Sequence, residues 1–514
     1  MGEMGGRAGA WLAGLFVLAG CGGGGAGPGE LYVDPAGDGG GAAIRDAGLD
    51  AGGRDGGVRD AGGVADAGPD GGATADAGPD AGPEDSGIAI APPLSIDGWT
   101  FYGMSQGLSA TPSDVSADEG GNVYVAGGDT LYVKTRRAAS FTRVDPIAAG
   151  LTRNCDPDGG TLCPVISVAG GDPGGAVIGF QGIGTDDDND PMWEQFSGGC
   201  DLVGYDGSSV YRLRHVLIAT PPGVIRETEY TWKYGRRKGR EVFRVVFNHL
   251  PGLHHGDVWM AGTHVGFSVF MPNPAAEGWQ DYPNQYPDAR GVWEHDHPAV
   301  EDIHGDIETG DYYGVAIDPT TGDPWAGDEY RTASKKGYGA GPGGQWNPLW
   351  PPYDPTNQLD SYLDVWPDCV GSSDPDCPYD IDNPAWKDNL EALAFCEDGT
   401  LYLGSSTLGL KVRGPQGDLS SIPMPAGLGD DIYALACDPA DHSVWVGLGW
   451  GGIARLHPDG TWSLLPGNLG APPFVWQPVR SIQIDRWASP RIVYFAHQGT
   501  PGGPAGGITA YAGP

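Results

Sequence analysis

Two stretches of this chain nearly superimpose: NLEALAFCEDGTLYLGSSTLGLKVR (389–413) and DIYALACDPADHSVWVGLGWGGIARLHPDG (431–460). Each reads as an alternating apolar strand, an acidic Gly or Pro turn, a short aromatic strand ending in Gly, then a third strand. Period-two alternation broken by turn residues at short, regular intervals specifies antiparallel strands, not helices. Weaker copies lie at 114–136, 164–182, 242–270, 312–335 and 479–511, which makes seven.

A repeat whose single unit cannot bury its apolar face must stack on its neighbours. Four-stranded sheets repeated about every 40–50 residues around an axis form a β-propeller. The expected fold is therefore all-β, a seven-bladed β-propeller over residues 95–514. The last copy ends at its third strand, GGITAY, while GWTFYGMSQGLS (98–109) precedes the first copy as an extra strand. Trp99 to Tyr102 is accordingly expected to supply the outer strand of the final blade and close the ring. Insertions separate copies two to five, and such loops are where function is expected.

WTFYGMSQGLS, DVSADEGGNVYVAGGDTLYV and IYALACDPADHSVWVGLGWGGIARL resemble the repeats of the two-component-regulator propeller, the periplasmic sensor portion of some bacterial hybrid kinases. The shared pattern is a G-L-S opening, a D-x-x-G turn, and W-V-G followed by G-G and an apolar residue. It covers about four of the seven copies. The resemblance implies a seven-bladed ligand-binding ring. That family continues into a membrane helix and a kinase, whereas this chain runs to Pro514 without them, so phosphotransfer is not expected.

The N-terminus carries one positive charge at Arg7, an apolar run from Ala8 to Leu18, and small residues before Cys21. The run is too short to span a bilayer and reads as an export signal over residues 1–20. Leu18-Ala19-Gly20-Cys21 resembles the bacterial lipobox, which implies a lipid on Cys21 as the membrane anchor. Gly22, where an Asp often marks inner-membrane retention, favours the outer membrane of a bacterial envelope. From residue 21 to 94 the chain is almost wholly Gly, Ala, Asp and Pro, too poor in apolar side chains to offset the entropy of ordering, and is expected to be a disordered tether.

Formal net charge is -38. Residues 22–91 carry thirteen acidic residues and three arginines, a net of -10, and Glu3 cancels Arg7, which leaves -28 for the rest. So acidic a domain repels nucleic acid, and no nucleic-acid partner is expected. It suits small molecules, cations, glycans or a basic protein surface, with the ring itself a monomer.

Eight cysteines are present. Cys155 with Cys163 and Cys369 with Cys377 each enclose a short Asp-, Gly- and Pro-rich loop, which outside the cytoplasm reads as two loop-closing disulfides. Cys200, Cys396 and Cys437 remain, an odd set that leaves at least one thiol unpaired or bonded elsewhere.

VWEHDHPAVEDIHGD (292–306) concentrates ligand-type side chains. His295 and His297 stand two apart, which on a strand puts both on one face. His304, Glu301 or Asp302 is available as a third ligand, and the preceding copy adds His254, His255 and His264. Six of the eleven histidines fall between 254 and 304. This chemistry suits zinc or a similar divalent metal. The same residues also suit hydrogen-bonded loops beside Trp259 and Trp293, because no full ligand set has metal-site spacing. Asp186, Asp188 and Asp190 offer alternating oxygen ligands for calcium, although Pro191 and Ser197 break the EF-hand pattern and a solvated acidic loop is the favoured reading.

Arg236, Arg237 and Lys238 sit at the tip of a strand–turn–strand pattern, where they suit either a docking contact or a protected sheet edge. GAGPGG (339–344) matches a nucleotide-binding glycine pattern only formally, since no strand precedes it and no helix follows. Trp346, Trp350 and Tyr353 could present aromatic faces to a glycan or cap their own blade. Three function classes follow: a lipid-anchored binding or sensor-like module, a metal-dependent lyase or lactonase on the ring mouth, and a glycan-binding surface adhesin.

Overall fold

The computed structural model describes residues 93–96, 98–151, 163–181, 199–216, 241–252, 254–263, 266–270, 293–296, 299–301, 307–309, 312–328, 332–335, 361–364, 389–449, 452–464, 477–499 and 506–513. All of them belong to one of the chain's two compact units, 67–514; the other is 1–66. Residues 1–92, which include the expected export signal and Cys21, lie outside the described residues.

The protein is all-β. Among the described residues there is no α-helix, only a 3₁₀ turn at Met104–Gln106. The strands assemble into one five-stranded, six four-stranded and one two-stranded antiparallel sheet. Six sheets follow chain order: first strand, hairpin, second, third, fourth.

Their first strands are Asp114–Ala117, Val165–Gly170, Glu241–Phe247, Tyr312–Ile317, Ala392–Phe395 and Ile432–Cys437. The seventh sheet begins at Val479–Asp485, continues through Ile492–His497 and Gly507–Tyr511, and takes its last two strands, Trp99–Tyr102 and Leu94–Ile96, from the other end of the chain. Trp99 pairs with Tyr511 and Tyr102 with Ile508.

Each first strand touches the first strand of the next sheet, and that of the seventh touches that of the first. Burial falls outward from these strands. Asp114–Ala117 is buried throughout, whereas the fourth strands Thr142–Arg143 and Leu419–Ile422 are largely exposed.

The apolar faces pack sheet against sheet. Trp99 and Phe101 join Trp445 of the sixth sheet with Val479 and Phe495 of the seventh, while Tyr102 faces the other way onto Val125 and Tyr132 of the first. Period-two alternation in one short strand thus serves two interfaces.

Two features of the repeat now have physical reasons. The Gly at or near the end of the second strand is a place where the next sheet approaches closely. A Cβ on Gly404 would lie 2.5 Å from a methyl of Ile432, and one on Gly447 would lie 2.7 Å from a methyl of Val479, so only hydrogen fits.

The acid that follows the first strand ties adjacent sheets. The Asp118 carboxylate accepts from the Gly174 amide at 2.8 Å, and Asp438 pairs with Arg491. In the fifth sheet that position is Cys396, and a disulfide to Cys437 of the sixth replaces the polar tie.

Candidate functional site

A cavity of about 320 Å³ lies among the seven first strands, all of which line it. Half of its lining residues are Val, Ala, Leu or Ile, yet the surface it presents is more polar than apolar, with Ser116, Ser481 and Gln483 lying between two charged ends. The side chain of Val246 lines it too, partly exposed and outside the apolar clusters between sheets. The two ends differ in chemistry.

At the end where the first strands begin, charges are paired and buried. Arg244 lies 3.8 Å from Asp114 and donates to the backbone carbonyl of Arg480. Arg480 lies 3.6 Å from Glu391, donates to Gln498 at 2.5 Å and stacks 4.2 Å from the Tyr433 ring centroid.

Asp114 also accepts from the amides of Val115 and Val168, at 2.8 and 2.9 Å. Burial pushes its carboxyl up, and the Arg244 charge and a Ser481 hydrogen bond oppose that. Burial likewise pushes the Tyr433 phenol up to about 12. These groups come from the first, third, fifth, sixth and seventh sheets and brace that end.

At the other end the charges are looser. His249 Nδ1 lies 3.0 Å from Glu119, and its ring packs 4.8 Å from those of Phe247 and Trp487. Burial lowers the His249 pKa, and the hydrogen bond to Glu119 opposes that. Glu397 and Arg486, from the fifth and seventh sheets, are exposed and line this rim with Pro319 and Pro439.

The histidines singled out by sequence do not gather here. His254 Nδ1 pairs with Asp257 at 3.3 Å and His255 Nε2 with Asp172 at 2.9 Å, both in the turn between the first two strands of the third sheet; Asp172 raises the His255 pKa. His295 belongs to Trp293–Asp296, the fourth strand of that same sheet, in register with Ser268. The segment therefore completes the third sheet instead of leading into the fourth.

At ~4.8 Å per strand, the His295 backbone stands about 14 Å outward from the strand that lines the cavity. Glu301 lies on the hairpin Ala299–Glu301 with Ile307–Thr309. Among the described residues no group of three or more His, Cys, Asp or Glu could hold a metal ion.

His264, His297, His304, Asp302, Asp186, Asp188, Asp190, the basic tip at 236–238, and Trp346, Trp350 and Tyr353 lie outside the described residues. Cys163 is buried and disulfide-bonded; its expected partner Cys155, and Cys369 with Cys377, lie outside them as well. Of the three unassigned cysteines, Cys396 and Cys437 are bonded to each other and Cys200 is a buried free thiol.

The cavity residues were not singled out by sequence. Arg244, Glu397 and Arg486 belong to no motif. The usable signal is positional, since aligning the copies places His249, Glu397 and Arg486 just after a first strand. No protein-family model matches the chain, and no curated protein matches it in sequence.

Proposed function

We propose that the protein is an exported, lipid-anchored β-propeller of seven blades that acts as a binding or sensor-like module at a bacterial cell envelope. One observation carries this reading: seven sheets whose first strands touch in cyclic order around a cavity that all seven line. About 320 Å³ falls within the range of small-molecule sites, and polar groups from several sheets converge on the cavity, where they are available to orient a ligand. Anchoring would come from a lipid on Cys21, with residues 22–91 as the spacer.

Two measurements test this. Full-length protein expressed in a Gram-negative host should incorporate labelled palmitate and partition into detergent, and Cys21→Ser should abolish both. Thermal-shift screening of the full chain against a small-metabolite panel should yield ligands that Val246→Trp, which fills the cavity, no longer binds. A Cys21→Ser chain that still takes up palmitate, or ligands indifferent to Val246→Trp, would sink the corresponding half.

A further inference from the structure

The third sheet carries the longest of the seven turns that follow a first strand. Ten residues separate Phe247 from Val258, against four to six in the other sheets. Asn248, His249 and Leu250, at the start of this turn, all line the cavity. His249 reaches past the second sheet: its Nδ1 lies 3.0 Å from Glu119 of the first, and its ring packs 4.8 Å from that of Trp487 of the seventh. On the other side Leu250 comes up to Gly322 of the fourth sheet, where a Cβ would lie 3.8 Å from its Cδ1. His255 Nε2 pins the far part of the turn to Asp172 of the second sheet at 2.9 Å. Between the two parts stands Gly252 at φ +134°, a backbone conformation that suits glycine. One turn thus touches four other sheets. The Arg244 end of the cavity is braced by buried ion pairs, which leaves this rim as the way in.

We propose that residues 248–252 form a strap over this mouth, seated through His249 and released when that imidazole takes up a proton, so that acid opens the cavity. The inference rests on the reading of the cavity as the binding site. Burial, the strongest influence on His249, and the Arg486 guanidinium of the seventh sheet disfavour the imidazolium, whereas Glu119 and the Gly170 backbone favour it; the balance lowers the His249 pKa. The neighbouring acids are already engaged: Asp118 with Gly174, Asn122 and Tyr124, Asp485 with Arg136, and Asp172 with His255. Glu397 lines the same rim from the fifth sheet. Displaced into water, His249 regains its ordinary value of 6.5 and binds the proton more tightly than the seated ring does. The seat is therefore fully favoured above pH 6.5 and weakens as pH falls below it. The same acid favours the His255 contact, because the hydrogen bond to Asp172 raises the His255 pKa. The turn keeps its anchor on the second sheet while its His249 end lets go.

The test follows access to the cavity in the full-length protein in detergent. Gln483→Cys places a thiol on the cavity wall, and Ser208→Cys places one on an exposed turn as reference. Each is labelled with dithiodipyridine, which reacts in acid as well as at neutral pH, and read by peptide mass analysis. The labelling rate of Gln483→Cys relative to the reference should rise at least threefold from pH 7.5 to pH 5.5. His249→Gln, which does not titrate, should abolish that rise, and Arg486→Gln, which removes a charge opposing the imidazolium, should reduce it. Should His249→Gln not fold, hydrogen exchange decides: amides 247–252, corrected for the intrinsic effect of pH, should exchange at least threefold faster at pH 5.5 in the parent, and unchanged exchange overturns the proposal. A rise that persists in His249→Gln also overturns it. If Gln483→Cys is labelled readily and equally at both pH values, the strap falls and the site stands. If it is labelled only after denaturation at both, the reading of the cavity as a binding site falls as well.

Discussion

Arg136 donates two hydrogen bonds to Asp485, from Nε at 2.6 Å and from Nη2 at 2.8 Å, and so ties the third strand of the first sheet to the end of the first strand of the seventh. The Asp485 side chain is fully buried and that of Arg136 is 25% exposed. Removing the guanidinium leaves a buried carboxylate without its counter-ion. Arg136→Ala should therefore lower unfolding free energy by about 3 kcal/mol in urea titration. Arg136→Ala combined with Asp485→Asn should lose clearly less than the sum of the two single changes, because the second removes the stranded charge.

Gly447 faces Val479 with room only for hydrogen. Gly447→Val should cost roughly 1–3 kcal/mol through overpacking between the sixth and seventh sheets. Pairing it with Val479→Ala should restore part of that loss, a rescue that thermal unfolding would show and that a purely local strand effect would not give.

The Cys396–Cys437 bond spans 41 residues of sequence. In the chain-entropy account, Cys396→Ala with Cys437→Ala should destabilise by about 4 kcal/mol. Cys200 should contribute no reactive thiol to the native protein, since burial pushes its pKa far up. Iodoacetamide labelling followed by peptide mass analysis should find Cys200 modified only after denaturation.

Lys134 is 2% exposed, and its ammonium sits 4.8 Å from the Tyr102 ring centroid; burial lowers its pKa to about 8. In the unfolded chain the ordinary value is 10.5. Between pH 8 and 10.5 the unfolded state binds the extra proton, so this group favours folding more as pH rises through that window. Lys134→Met should be more stable than the parent at pH 7, and the difference should shrink on going to pH 10 in urea titrations at both values.

His497 acts at the acid end. It is fully buried, 2.9 Å from the Thr509 hydroxyl, with its pKa lowered to about 3. Its neutral form belongs to the folded state, so stability is lost as pH falls from 6.5 towards 3. His497→Gln should flatten that part of the acid unfolding curve.

Strands were legible because their alternation is local. DVSADEGGNVYVAGG writes two strands and a turn within one short segment, and GWTFYG declared itself the missing fourth strand because the last copy stopped at its third. The Cys396–Cys437 bond was not legible, since it depends on two strands of different sheets lying side by side, a relationship no single copy contains. Yet stacking the copies puts Cys396 in the column held by Asp118, Asp438 and Asp485, next to the column of Cys437. The cavity was hidden for a related reason. Arg486 and Glu397 are ordinary polar residues until seven strands bring their ends together, whereas VWEHDHPAVEDIHGD drew attention by local density and its His295 lies on an outer strand.

Trp99 meets Tyr511 only after the whole of the chain between them has been made. The seventh sheet is thus the one whose strands are synthesised furthest apart in time, and its Trp99–Tyr102 strand, paired only with Leu94–Ile96, waits with its other edge open while the other six form from contiguous segments. Folding of those six can follow synthesis, but completion cannot, and until Gly507–Tyr511 emerges the edge of that strand is open to any other extended chain. A chaperone that covers residues 94–102 would guard the protein through its most aggregation-prone interval.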